Sequence, residues 1–465
     1  MNGHRDATRE SRAWMIPITS CRVAVIGAGA AGLTAVKALL DAGLEVVGYD
    51  KNDRPGGLWV LDSSSGLSPA YGSLHLNTSK GRTEFADYPM PREWPDYPSV
   101  GHVAGYLSDY AGKFDLLPHL RLDTTVNSIE RDETGGGWTV ESEPGGAERF
   151  DAVVVANGHN WSPRWPTPSY PGEFAGAEMH AHDYRDADVF RDKRVLVVGM
   201  GNSAMDIAVD ASFVSDGPVL LSARRGVHVV PKYLFGRPAD ATGGAIAFLP
   251  WRLRQRVAET MLSIGVGKPQ SYGLPPPAVG LFQNHPTISD TIMHRLTHGE
   301  VEPRPGIERM EGDSVRFTDG REDKVDVVVW ATGYEVTIPF LSERWVGERP
   351  ERLRLYRRVF HLDDPTLAFV GLMQSTGAAL PIVEQQSKLV AAYLSGDYAL
   401  PSPDEQEKAV AQHLKSATKR WGASGRPEMR VDFDRFVAEL PREVKAGAKR
   451  QQRGAGVKYS AERTA

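Results

Sequence analysis

Short, wholly apolar runs alternate along the chain with glycine turns and longer stretches of helical spacing. Val23-Ala24-Val25-Ile26 and Val195-Leu196-Val197-Val198 are continuous apolar runs of strand length. That is the pattern of strands covered on both faces of a parallel sheet. Each runs straight into a glycine turn: Gly27-Ala28-Gly29-Ala30-Ala31-Gly32 after the first, Gly199-Met200-Gly201-Asn202-Ser203-Ala204 after the second. Each turn opens a helix-like stretch. Val153-Val154-Val155, Val327-Val328-Val329-Trp330 and Leu367-Ala368-Phe369-Val370 predict further strands, and Pro381 opens a helix to about Leu394 with Ile382, Leu389, Val390 and Tyr393 as its apolar contacts. Strands alternating with helices in this way predict an α/β fold.

Strand, glycine turn and helix together form a dinucleotide-phosphate fingerprint. The first Gly makes the tight turn, and the second lets the backbone approach a pyrophosphate. The third small residue lets helix and strand pack closely, and the helix N-terminus receives the negative charge. Two such units predict two Rossmann-like dinucleotide-binding domains, and hence electron transfer between two cofactors. The strand after each turn separates their ligands. In the first unit, Leu44 to Tyr49 leads to Asp50, where a carboxylate bonds a ribose hydroxyl and disfavours a 2′-phosphate. In the second, Val219-Leu220-Leu221-Ser222 leads to Ala223-Arg224-Arg225 with no acid, and the planar Arg fork suits phosphate. The first site is therefore read as FAD and the second as NADPH.

Composition narrows the class. The 465 residues suffice for two or three domains, and 41% hydrophobic with 24% charged residues is the balance of a soluble globular protein. A net charge of -5 gives no argument for nucleic acid or a membrane surface as partner. The one cysteine, Cys21, excludes an intrachain disulfide and a redox-active cysteine pair, and suits a cytoplasmic location. Met1 to Ser20 lacks the apolar core of a signal peptide, and no apolar run reaches membrane-spanning length. Arg442 to Ala465 is polar and net basic, and reads as a solvated or loosely attached tail. His180 and His182 have no third ligand at suitable spacing, so no metal is expected.

One segment between the two fingerprints is more specific. Phe174, Gly176, His180 and Tyr184 fill the fixed positions of F-x-G-x-x-x-H-x-x-x-Y/F, and the chain resembles the flavin-containing monooxygenases that carry this signature. Gly56-Gly57-Leu58-Trp59, Asn77-Thr78-Ser79-Lys80, Phe85-Ala86-Asp87-Tyr88-Pro89 and Ala331-Thr332-Gly333-Tyr334 are similar to further segments of that family, in the same order. The resemblance implies an NADPH- and O2-dependent monooxygenase. Reduced FAD forms a C4a-hydroperoxide, which passes its terminal oxygen to an amine nitrogen or sulfide sulfur of a small molecule. The fingerprints and the resemblance together give a cofactor-binding set of Gly27, Gly29, Gly32, Asp50, Gly57, Trp59, Gly199, Gly201, Asn202, Ser203, Arg224, Arg225, Thr332, Gly333 and Gln374. The resemblance places Asn77 at the oxygenation centre, where a neutral amide donates and accepts hydrogen bonds without titrating. His180 is assigned to domain geometry. Baeyer–Villiger oxygenation of a ketone is the nearest alternative, although that fingerprint usually ends in Trp where Tyr184 stands. An NADPH oxidase or reductase without oxygenated product is the other.

The expected organisation inserts the NADPH domain within the FAD domain: residues 1–165 and 331–465 for FAD, 166–330 for NADPH. Pro163, Pro166, Pro168 and Pro171 mark the hinge. Residues 64–120 read as loops and short helices. Residues 235–285 read as an irregular excursion with some helix, of the kind that forms lids or substrate walls. A homodimer is a candidate assembly.

Overall fold

The computed structural model describes residues 21–132, 136–241, 248–283, 286–422 and 426–459. The reading of Met1 to Ser20 therefore lies outside the described residues. Arg22–Ile26 sits inside a seven-stranded sheet whose strands run in the order Leu355–Tyr356, Phe360–His361, Leu367–Phe369, Ala152–Val155, Arg22–Ile26, Glu45–Tyr49, Leu120–Arg121. The five strands from Leu367–Phe369 onward are parallel, and the two at the far edge are antiparallel. Val23, Val25, Val153 and Val154 are fully buried because helices or a second sheet cover both faces. Helix Ala30–Asp41 lies on helix Leu380–Leu394, where Thr34 Oγ1 and Ser387 Oγ share a buried hydrogen bond of 3.0 Å. Ile382, Leu389, Val390 and Tyr393 are all buried, as their spacing predicts.

The second sheet has five parallel strands in the order Ala177–His180, Val327–Trp330, Val195–Val198, Val219–Ser222, Val301–Arg304. All of its strands fall between residues 177 and 304 or at the return strand 327–330. The first sheet draws on residues before 155 and after 355, so the second unit is inserted in the first. The two crossing segments meet as a ribbon, Ser162–Pro163 antiparallel to Tyr334–Glu335. The four prolines fall in or just after the outgoing arm of this ribbon.

Four features differ from the sequence reading. Residues 64–120 contain a 14-residue helix, Val100–Lys113, whose Val103, Tyr106, Leu107 and Tyr110 are buried. A three-stranded antiparallel sheet, Thr125–Arg131, Trp138–Glu143 and Gly146–Phe150, was not anticipated. Its strands are half exposed, so only weak alternation marks them. The antiparallel strands Ile307–Gly312, Ser314–Phe317 and Glu322–Lys324 extend the inserted unit for the same reason. The tail, finally, is docked rather than solvated through residue 459. Helix Phe433–Gln452 buries Phe436 and Leu440 and packs against Leu380–Leu394. At Gly447 a Cβ would lie 1.8 Å from the Tyr398 ring. Glu443, buried, binds Arg357, Arg450 and the Tyr398 hydroxyl. Tyr459 donates its hydroxyl hydrogen to the Cys21 sulfur at 3.0 Å. The basic composition hid this contact because a glycine and a paired carboxylate make much of it.

Candidate active site

Each fingerprint folds as its glycines require. Gly27 has φ +111, and a Cβ there would lie 2.5 Å from the Ala156 carbonyl oxygen. Gly32 is pressed on the turn itself: its Cβ would lie 1.7 Å from the Gly27 oxygen. Gly29 is different. A Cβ there meets only the Gly57 Cα, at 3.5 Å, so the turn leaves a cradle that a side chain would fill. Gly57-Leu58-Trp59 forms a short 3-10 turn against this cradle. Asp50 stands at the end of the second strand. Its carboxylate accepts from the Ala28 N–H at 2.5 Å and the Asn52 N–H at 2.8 Å, and burial raises its pKa against those bonds. Helix Ala30–Asp41 starts at Gly29 with no side-chain cap, which leaves its first N–H donors for a phosphate.

The second cradle repeats the pattern. Gly199 has φ +142, and its Cβ would lie 2.4 Å from the Ala331 oxygen. A Cβ at Gly201 meets nothing within 4 Å, and Ala204 is fully buried against the sheet. Helix Asn202–Ala211 begins uncapped at Gly201. Asn202 Oδ1 accepts from the Ile288 N–H at 2.8 Å, and Ser203 shares a hydrogen bond with Tyr71. Arg224 and Arg225 follow strand Val219–Ser222, both exposed, with no carboxylate partner among the described residues. Open cradles and free N–H donors fit a dinucleotide at each turn, and the unpaired guanidinium groups fit a phosphate at the second. Thr332 and Gly333 spend part of their polar groups on the ribbon. The Thr332 hydroxyl donates to the Arg164 carbonyl, the Thr332 carbonyl accepts from Arg164 Nη2 at 2.7 Å, and the Gly333 carbonyl accepts from the Arg164 N–H at 3.0 Å. Gln374 lies in a two-residue strand beside Arg430–Val431.

A cavity of about 210 Å³ is lined by Asn77 and Thr78 from the first unit, Asn202 from the second, and Thr376 to Ala378 ahead of helix Leu380–Leu394. Helix Trp251–Gly265 supplies Ala258, Met261 and Leu262 to its wall, so described residues of the 235–285 excursion line the cavity. The loop carrying Asn77 is firmly held. Thr78 Oγ1 and Thr83 Oγ1 share a hydrogen bond of 2.8 Å, and Lys80 Nζ donates to the carbonyls of Pro91, Arg92 and Trp94. The Asn77 amide makes no hydrogen bond within the described residues, so it is not spent on its own loop.

The signature residues act as a clasp. A Cβ at Gly176 would lie 2.5 Å from the Phe174 ring, so that pair packs without space for a side chain. His180 is fully buried; its Nδ1 accepts from the His182 N–H at 3.0 Å, and its ring lies against Trp165 and Tyr334. Burial lowers its pKa, so the ring stays neutral and packs. Tyr184 donates to Asp210 Oδ2 at 2.7 Å, and Ser73 donates to the same oxygen at 2.5 Å. Tyr71 donates to Asp206 Oδ2 at 2.7 Å. Asp206 and Asp210, one turn apart on helix Asn202–Ala211, thus bind the first unit's loop to the second unit. Burial raises the Asp206 pKa to about 6. The sequence reading gave no role to Tyr71, Ser73, Asp206 or Asp210. The i, i+4 acid pair was its only local signal. Among the described residues no group of three or more His, Cys, Asp or Glu is placed to hold a metal.

The cavity is thus lined from both units, by Asn77 and Thr78 of the first and by Asn202 at the start of the second unit's helix. Residues 20–451 match the family described as flavin-binding monooxygenase-like. Flavin-containing monooxygenase 5 of Oryctolagus cuniculus is 35% identical over 448 residues, 90% of this chain and 82% of that one. The N-oxide-forming dimethylaniline monooxygenase 2 of Rattus norvegicus is 32% identical, over 91% of this chain and 83% of its own. Among solved structures, S-allyl-L-cysteine S-oxygenase from Allium sativum superposes with a TM-score of 0.68 at 25% identity, covering 94% of this chain and 93% of that chain. The chain belongs to the flavin-binding monooxygenase family. It is a flavin-dependent monooxygenase. No helix among the described residues is long and apolar enough to cross a membrane.

Proposed function

We propose that the chain uses FAD and NADPH to place one oxygen atom of O2 on the amine nitrogen or sulfide sulfur of a small molecule in the cytoplasm. Gly27, Gly29, Gly32, Asp50, Gly57 and Trp59 would hold FAD. Gly199, Gly201, Asn202, Ser203, Arg224 and Arg225 would hold NADPH, with Thr332, Gly333 and Gln374 completing the set. The domains then divide at 1–165 with 331–465, and 166–330; the interleaving of the two sheets supports this division. Bound FAD supplies oxygen activation, and NADPH supplies the hydride that reduces it.

The residues have distinct tasks. Backbone N–H groups at the two uncapped helix starts bind the pyrophosphates, and the Arg pair selects the 2′-phosphate. Leu262, Ala258 and Met261 keep water from the cavity. Asn77 orients the reacting oxygen by donating and accepting hydrogen bonds, and it releases no proton at any working pH. His180, neutral and buried, holds the inserted domain in place. The observation that carries this reading is the unspent Asn77 amide at a cavity lined from both units. The relatives named for N-oxide formation and S-oxygenation support the choice of atom. A panel of tertiary amines, sulfides, indole and ketones, with products quantified by mass spectrometry, tests it. N-oxides or sulfoxides are expected as main products; lactones or esters in their place would overturn the choice of atom.

A further inference from the structure

Resting on the reading of Asn77 above, we propose that Asp240 is a positioning residue for Asn77: it ties the cavity wall to the loop that presents the amide. Ser79 is buried and lies two residues beyond Asn77. It stands at the start of the short helix Lys80–Thr83, yet its side chain does not cap that helix. Its N–H donates to Asp240 Oδ2 at 2.7 Å and its hydroxyl to the same oxygen at 2.9 Å. Asp240 Oδ1 accepts from the Ala241 N–H at 2.8 Å, so the carboxylate is itself oriented. One carboxylate oxygen thus takes both donors of the residue that fixes the direction of the chain leaving Asn77. Asp240 and Thr78 both line the cavity.

The Asn77 loop has other ties, but those beside Asn77 lie within the first unit: the Leu76 N–H donates to the Pro98 carbonyl at 2.9 Å, and Thr83 Oγ1 donates to the Ser79 carbonyl at 2.9 Å. Tyr97 donates to the Lys232 carbonyl at 2.5 Å, and Tyr233 donates to Asp96. Farther along, Arg82 of the short helix and Arg254 of helix Trp251–Gly265 meet on Asp434, at 2.6 and 3.2 Å. These contacts hold the wall when Asp240 is changed. Asp240 is the contact that joins the backbone beside Asn77 to the cavity wall, so removing it loosens the amide relative to the wall and leaves the wall in place. A substrate that fills the wall would then act through Asp240 on the group that controls oxygen transfer.

The test uses the flavin-loaded full chain with NADPH and a methyl aryl sulfide. The readouts are hydrogen peroxide released per NADPH oxidised, the rate of anaerobic flavin bleaching, and the melting temperature. Asp240→Ala should raise the peroxide share by about tenfold, the lower end of what one charged hydrogen bond carries. Bleaching rate and melting temperature should stay near those of the parent. Ser79→Ala, which removes only the hydroxyl, and Asp240→Asn, whose amide oxygen still accepts, should fall between. Asp240→Ala with Asn77→Ala should leak no more than Asn77→Ala alone. If Asn77→Ala leaks and Asp240→Ala does not, the tie is refuted and the Asn77 reading stands. If Asp240→Ala slows bleaching and lowers the melting temperature in proportion to its leak, Asp240 is merely structural and the proposal falls. An Asn77→Ala variant that stays fully coupled overturns both.

Discussion

Arg224 and Arg225 stand exposed at the end of a strand, without a carboxylate partner among the described residues, where the first unit carries Asp50. A guanidinium with no internal partner is free to take a phosphate, and this contrast carries the division of cofactors. Arg225→Ala should raise the KM for NADPH roughly tenfold or more and leave that for NADH nearly unchanged, because only NADPH carries the 2′-phosphate. Steady-state kinetics with both nucleotides, run beside Arg224→Ala, would show it. Equal rises for both nucleotides would make the arginine structural. The glycines at this scale were legible in the sequence because their demands are local. Gly27 and Gly199 each touch the backbone at the end of a neighbouring strand, and that close contact is the tight turn the spacing predicts. Asp240 was not legible. Its partner Ser79 lies 161 residues away, and no periodicity joins them.

Helix Asn202–Ala211 links two scales, since its N-terminus opens the second cradle and its Asp206 and Asp210 hold the first unit's loop. Asp206 has a definite pH signature. Its folded pKa of about 6 lies above the 3.8 of an ordinary Asp. Between those values the folded chain keeps a proton that the unfolded chain has lost, so stability falls as pH rises through that window, by up to about 3 kcal/mol. Asp206→Asn keeps an acceptor for Tyr71 and removes this loss. The variant should melt higher than the parent above pH 6, with the gap closing toward pH 4; a gap independent of pH would contradict the burial argument. The docked C-terminal helix gives a second element-scale expectation. Leu440 is fully buried, so Leu440→Ala should cost about 2–5 kcal/mol in denaturant melts. No change would contradict the burial of this helix. Parallel strands were readable as unbroken valine runs. The antiparallel sheets at 125–150 and 307–324 were not, because register shifts at Val126/Ser128 and Ile307/Arg309 break the period-2 alternation that a half-exposed strand would otherwise show.

At the scale of the molecule, the order of motifs along the chain already implied one nucleotide unit inside another, and the interleaved sheets have that arrangement. What the sequence left open was the place where the units meet. The clasp of Tyr184, Ser73 and Tyr71 on Asp206 and Asp210, the ribbon of Ser162–Pro163 with Tyr334–Glu335, and the wall from the excursion all join residues distant in sequence. Together they join the two units, and the cavity is lined from both; oxygen transfer, rather than peroxide release, is the outcome the proposed function expects there.

The most direct measurement supplies the flavin-loaded chain with NADPH, a sulfide or tertiary amine and 18O2, and follows both label and stoichiometry. One 18O atom in each sulfoxide or N-oxide, with product matching NADPH consumed, is the predicted result. NADPH consumed with equal hydrogen peroxide and no labelled product, whichever nucleophile is offered, would contradict the account.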